Sequence, residues 1–79
     1  MDLTLIKKVE IDGICYKLLR VIFYKGYFAI IAQNKREFCC TSFSATLSQA
    51  EELFDEISAS ATEPYCIRDI ISDFEKQNV

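Results

Sequence analysis

The residues of this chain best suited to chemistry are four cysteines, Cys15, Cys39, Cys40 and Cys66, and two groups of carboxylates. Cys66 is the foremost nucleophile candidate. Two residues after Pro64, it falls at about the third position of a predicted helix, where unpaired N–H groups lower a thiol pKa. The competing reading is a small residue packed near a helix start, the usual fate of a free cysteine. Glu51, Glu52, Asp55 and Glu56 crowd one side of a first predicted helix, and Asp69 and Asp73 share a face of a second. Carboxylates four residues apart hold a hard cation when carbonyl oxygens join them. No calcium-loop pattern accompanies these acids, so a solvated acidic face is the simpler account.

The absences narrow the chemistry further. The chain has no histidine, which removes Ser-His-Asp and Cys-His pairs, histidine metal sites and the usual proton shuttle at neutral pH. Its two glycines stand alone, so no phosphate-binding glycine loop is possible. Cys39 and Cys40 are adjacent and point to opposite faces of a strand. No C-x-x-C occurs, which leaves neither a zinc ribbon nor a thioredoxin-like motif. The thiols are expected to be small, reduced core residues of a cytoplasmic protein. No catalytic residue, metal or cofactor is expected.

The elements that position these residues follow from the apolar pattern. At 79 residues and 51% hydrophobic, the chain is expected to form one domain over residues 1–79, near the lower size limit for a single core. No apolar run approaches the ~20 residues of a membrane span, and the first residues do not have the order of a secretory signal. Asp12-Gly13 between apolar stretches predicts a two-residue hairpin, joining a strand over Leu3–Ile11 to one over Ile14–Tyr24. Lys25-Gly26 leads into Tyr27–Gln33, and Asn34-Lys35-Arg36 into Glu37–Phe43. After Phe43 the period changes. Leu47, Ala50, Leu53, Phe54 and Ile57 form a helical stripe, with Thr46/Gln49 or Ser48/Glu51 as its capping box. Glu51 and Glu52 read as first-turn acids suited to the helix dipole. Pro64 opens a second helix whose stripe is Ile67, Ile70, Ile71 and Phe74. The fold class is therefore α+β: a four-stranded antiparallel meander (1–43), then two helices (44–79) on one face, ββββαα in two layers.

The opening Asp12-Gly13 hairpin with Tyr16 in the second strand, and the closing Pro64, Asp69, Asp73 and Phe74, resemble a family of short bacterial proteins. That family is catalogued only as a domain of unknown function. The match is clearest from Pro64 to Phe74. Cys66 stands where the family pattern has histidine, and Glu75 where it has an apolar residue. The resemblance implies the fold and names no activity.

Two helices cover one face of a four-stranded sheet, and the other face needs an account. With two-residue turns, one face collects Cys15, Lys17, Leu19 and Val21 with Phe28, Ile30 and Phe43, suiting a dry core under the helices. The other collects Tyr16, Arg20, Tyr24, Tyr27 and Phe38. Tyrosine and arginine enrichment marks protein interfaces, and an uncovered apolar face calls for a partner. A bulge or a longer turn at Lys25-Gly26 would regroup both faces. The expectation is a non-enzymatic interaction or regulatory module forming a homodimer, or a hetero-complex, through this face. RNA or single-strand binding by sheet aromatics with Lys7, Lys8, Lys17, Arg20, Lys25 and Lys35 is the alternative. A sequence pI near 4.8 argues against it. The basic residues do gather in the first half: residues 1–43 hold seven Lys/Arg against four Asp/Glu, and residues 44–79 hold two against eight. A thiol-dependent enzyme is the third reading.

Overall fold

A computed structural model describes residues 3–22 and 25–77. Four antiparallel strands, β1 (Leu3–Ile11), β2 (Ile14–Val21), β3 (Tyr27–Gln33) and β4 (Phe38–Ser44), lie in that order in one open sheet. Two helices follow, α1 (Leu47–Ala59) and α2 (Pro64–Gln77). The α+β architecture and its ββββαα order are those expected. No helix among the described residues is long and apolar enough to cross a membrane.

Local chemistry accounts for the joints. Asp12 and Gly13 both adopt positive φ, 52° and 77°, the signature of the tight hairpin that pairs Ile11 with Ile14. At the β3–β4 turn the Asn34 side chain accepts from the N–H groups of Arg36 and Glu37, at 2.8 and 2.6 Å, taking up donors the turn leaves unpaired. Helix α1 starts with the Thr46/Gln49 capping box. The Gln49 N–H donates to Thr46 Oγ1 at 3.2 Å, and the Thr46 N–H donates to Gln49 Oε1 at 3.0 Å. Because the helix begins at Leu47, Glu51 and Glu52 lie one turn further in than expected, and its first turn holds no acid.

Helix α1 ends in a Schellman arrangement. The Ala61 N–H donates to the Ser58 carbonyl, and the Thr62 N–H to the Ile57 carbonyl. The residue in the left-handed position is alanine, at φ 49°, where glycine avoids a Cβ penalty. Pro64 then starts α2, as its sequence position predicts.

Both helices pack on the same face. Ile14, Tyr16 and Leu18 of β2, Phe28, Ile30 and Ala32 of β3, and Phe43 of β4 meet Ala50, Leu53, Phe54 and Ile57 of α1 and Ile67 and Ile71 of α2. Helix α1 lies over β1 and β2, and α2 mainly over β4. Phe74 closes the far end, its ring edge-on to Phe43 at 5.9 Å. The two helical stripes thus dock where their spacing predicted.

One strand is turned over relative to expectation. Strand β2 ends at Val21, and pairs such as Arg20↔Phe28 and Leu18↔Ile30 set its register against β3. Residues 22–26 connect them, so the turn is longer than two residues and of the parity that exchanges the faces of β2. Tyr16 and Leu18 therefore lie under the helices, and Cys15, Lys17, Leu19 and Val21 lie on the open side. Desolvation explains the choice. The expected register would have placed Lys17 on the helix-covered face that carries Phe28 and Ile30, whereas this one leaves it half-exposed on the open side. Arg20 falls on the covered side at the sheet's end, stays exposed, and sets its guanidinium 5.8 Å from the centre of the Phe28 ring.

A second irregularity sits in β1, where the register shifts between Leu5 and Lys7. The extra residue, Ile6, packs against the core. This bulge sends Leu3 and Leu5 to the open face, opposite Val21 and Leu19, while Lys7, opposite Leu18, faces α1.

Candidate interaction surface

The open face is built from alternate residues of all four strands: Leu3 and Leu5 of β1, Leu19 and Val21 of β2, Tyr27, Ala29 and Ile31 of β3, Phe38 and Cys40 of β4. Its centre is already dense. Leu19 and Ala29 are 8% and 4% exposed although no helix covers them, because side chains on neighbouring strands shield them. The periphery is open: Leu5 is 51% exposed, Tyr27 46% and Phe38 63%. Polar groups interrupt it toward the Asp12-Gly13 end and along β4: Lys17 of the interior strand β2 lies between Lys8 and Ile31. Lys8 and Glu10 pair at 3.9 Å, and Ser42 and Ser44 line β4.

The five residues expected to form a tyrosine-rich cluster are dispersed. Tyr16 is fully buried under the helices, and its hydroxyl donates to the Thr62 carbonyl at 2.6 Å. Burial, then the charges of Glu63 and Asp12, raises its pKa above the ordinary 10.0. Arg20 lies on the covered side. Tyr24 lies outside the described residues. Tyr27 and Phe38 are on the open face as expected, but at opposite ends of the β3–β4 pair, Tyr27 beside Ser44 and Phe38 beside Gln33. At about 3.4 Å per residue, these two rows stand roughly 20 Å apart. The apolar character of the face comes instead from aliphatic residues. Leu3 and Leu5 were invisible as surface residues because the bulge that turns them outward has no sequence signature. Leu19 and Val21 were assigned to the wrong side.

The cysteines are four free thiols, and their burial departs from expectation. Cys15, Cys39 and Cys66 are half-buried and Cys40 is exposed. Cys39 packs against the core while Cys40 faces outward, as adjacent strand residues must. Burial, then its neighbour Cys39, raises the Cys40 pKa above 9.0, so it is protonated at neutral pH. Cys66 donates its N–H to the Glu63 carbonyl at 3.0 Å in the first turn of α2.

Of the acidic groups, Glu51 and Asp55 serve the scaffold. Lys7 reaches from β1 to α1, with its ammonium 3.3 Å from Glu51 and 3.3 Å from Asp55. The Asp55 hydrogen bond leads in holding the Lys7 pKa above 10.5. Among the described residues no three Asp, Glu, Cys or His side chains converge as a metal site would need. The basic residues do not all converge either. Lys8 and Lys17 are cross-strand neighbours on the open face, with Glu10 paired to Lys8, but Lys7 faces α1, Arg20 stacks on Phe28, and Lys25 and Lys35 lie in separate turns.

Compared with family models, curated proteins and solved structures, the chain matches none of them.

Proposed function

We propose that this chain is a non-enzymatic interaction module that self-associates through the open face of its sheet. One observation carries the reading: Leu5, Tyr27 and Phe38 stand exposed around a dense apolar centre on the face that neither helix covers. Contiguous exposed apolar surface of this kind marks a site of association. A two-fold pairing covers it with one surface, since each copy presents what the other needs. Four strands about 4.8 Å apart and roughly 23 Å long give a projected face on the order of 450 Å². Stable interfaces bury about 800 Å² per partner. The association is therefore weak and reversible, which suits a regulatory module.

Sedimentation equilibrium across a wide concentration range tests the reading. The wild-type average mass should rise above the monomer's 9.1 kDa with concentration, and the double variant Leu5→Ser/Tyr27→Ser should shift that rise to higher concentration. A wild-type curve unaffected by the double variant would refute association through this face.

A further inference from the structure

The two edges of the sheet are built differently, and the difference points to a second contact. Strand β1 is an edge protected against pairing: it carries Lys7, Lys8 and Glu10 and is broken by the bulge between Leu5 and Lys7. Strand β4, the other edge, runs Phe38-Cys39-Cys40-Thr41-Ser42-Phe43-Ser44. It holds no charge and no proline, and its register against β3 is unbroken over all seven residues.

The direction of its backbone groups follows from two hydrogen bonds that bracket the β3–β4 ladder. The Asn34 N–H donates to the Glu37 carbonyl at 3.0 Å, and the Ala45 N–H to the Gly26 carbonyl at 2.8 Å. Bonding alternates along an antiparallel pair, so the odd-numbered residues of β4 bond to β3. Phe38, Cys40, Ser42 and Ser44 therefore turn both N–H and C=O away from the sheet. Their side chains lie on the open face, where no helix overhangs them.

We infer that β4 pairs antiparallel with β4 of a second copy, joining two sheets into one of eight strands. The occupant is a second copy because the strand is compatible with itself. With no charge between Phe38 and Ser44, a two-fold places no like charges opposite each other. The register of greatest overlap puts Thr41 on the axis, Cys40 opposite the partner's Ser42, and Phe38 opposite the partner's Ser44. All four outward residues of each copy are then bonded. In the same register the exposed Phe38 ring crosses the small Ser44 of the second copy toward its Tyr27, since Tyr27 and Ser44 are neighbours within each sheet. The two aromatic corners that one chain holds apart thus come together between two chains. Pairing also merges two open faces into one of twice the area. This contact rests on the edge, and it stands or falls separately from association through the face.

Hydrogen exchange on the wild-type chain, read residue by residue at low and high concentration, is the first test. The amides of Cys40, Ser42 and Ser44 should slow by about ten-fold or more at high concentration. Those of Cys39, Thr41 and Phe43, bonded within the chain, should be slow at both. Cys40, Ser42 and Ser44 amides that exchange freely at the highest soluble concentration overturn the pairing. Ser42→Pro is the second test. Its lost N–H points outward, so the β3–β4 ladder keeps its bonds, and the average mass should fall at concentrations where wild type associates. If Ser42→Pro leaves the mass unchanged while Leu5→Ser, at the opposite edge of the sheet from β4, lowers it, the edge pairing is wrong and the face reading survives. The reverse result leaves the edge and removes the face. Should Ser42→Pro fail to fold, the exchange measurement decides alone.

Discussion

The two faces of this sheet share the same strands and much the same apolar composition, yet only one is a core. On the covered side Tyr16, Leu18, Ile30, Ala32 and Phe43 are at most 1% exposed, in one cluster with the helical stripes. On the open side similar residues form a surface whose centre is dense and whose periphery is wet. Hydrophobic composition therefore does not tell core from interface in a small two-layer domain. What separates them is which face receives the helices. That is settled by where charge is tolerated: the covered side admits Lys7 and Arg20 only at its margins, where Glu51, Asp55 and the Phe28 ring receive them.

The largest expected effect sets the two faces directly against each other. Leu18→Ala, on the covered side, should destabilise the chain by about 3 kcal/mol, because the lost side chain leaves a cavity that neighbours fill only in part. Ile31→Ala, on the adjoining strand but facing outward, should cost about 1 kcal/mol or less. Denaturant melts of dilute protein, where association does not contribute, measure both. Equal losses would mean that the open face is as much a core as the covered one.

A smaller effect concerns the polar group buried within the covered face. Tyr16→Phe removes the hydroxyl that holds the Thr62 carbonyl and should cost about 1 kcal/mol. It also has a pH signature. The folded state raises the Tyr16 pKa above 10.0, so it holds this proton more tightly than the unfolded chain. The stabilisation is complete below about pH 10 and is lost as pH rises through the folded value. Wild-type stability should fall in that range, and the fall should be shallower in Tyr16→Phe. Identical alkaline limbs in the two proteins would contradict the buried position of this tyrosine.

The smallest effect should have the opposite sign. Ala61→Gly relieves the left-handed alanine at the end of α1 and should stabilise the chain by about 0.5–1 kcal/mol. Since this joint lies on the helical side, self-association should be unchanged. A variant that melted higher and also associated differently would show that the helical layer and the open face are coupled.

Much of this architecture was legible without the structure because its signals are local. The hairpin at Asp12-Gly13 follows from two residues that accept positive φ. The helix starts at Thr46 and Pro64 follow from capping and from a missing N–H, and the two helices from a period of three and four. Their common docking face followed from the chain having one sheet to cover. The exclusion of histidine-dependent chemistry was likewise read from composition. Strand pairing does not work this way. Whether Tyr16 is core or surface depends on the parity of residues 22–26, and whether Leu5 faces water depends on one extra residue in β1. No side chain near either break announces it. Alternation along a strand says which residues share a face, but both faces of these strands are apolar, so it could not say which face lies inward. Only packing resolves that, by weighing Lys17 on the covered face against a buried Tyr16 whose hydroxyl finds a carbonyl on the far side of the core.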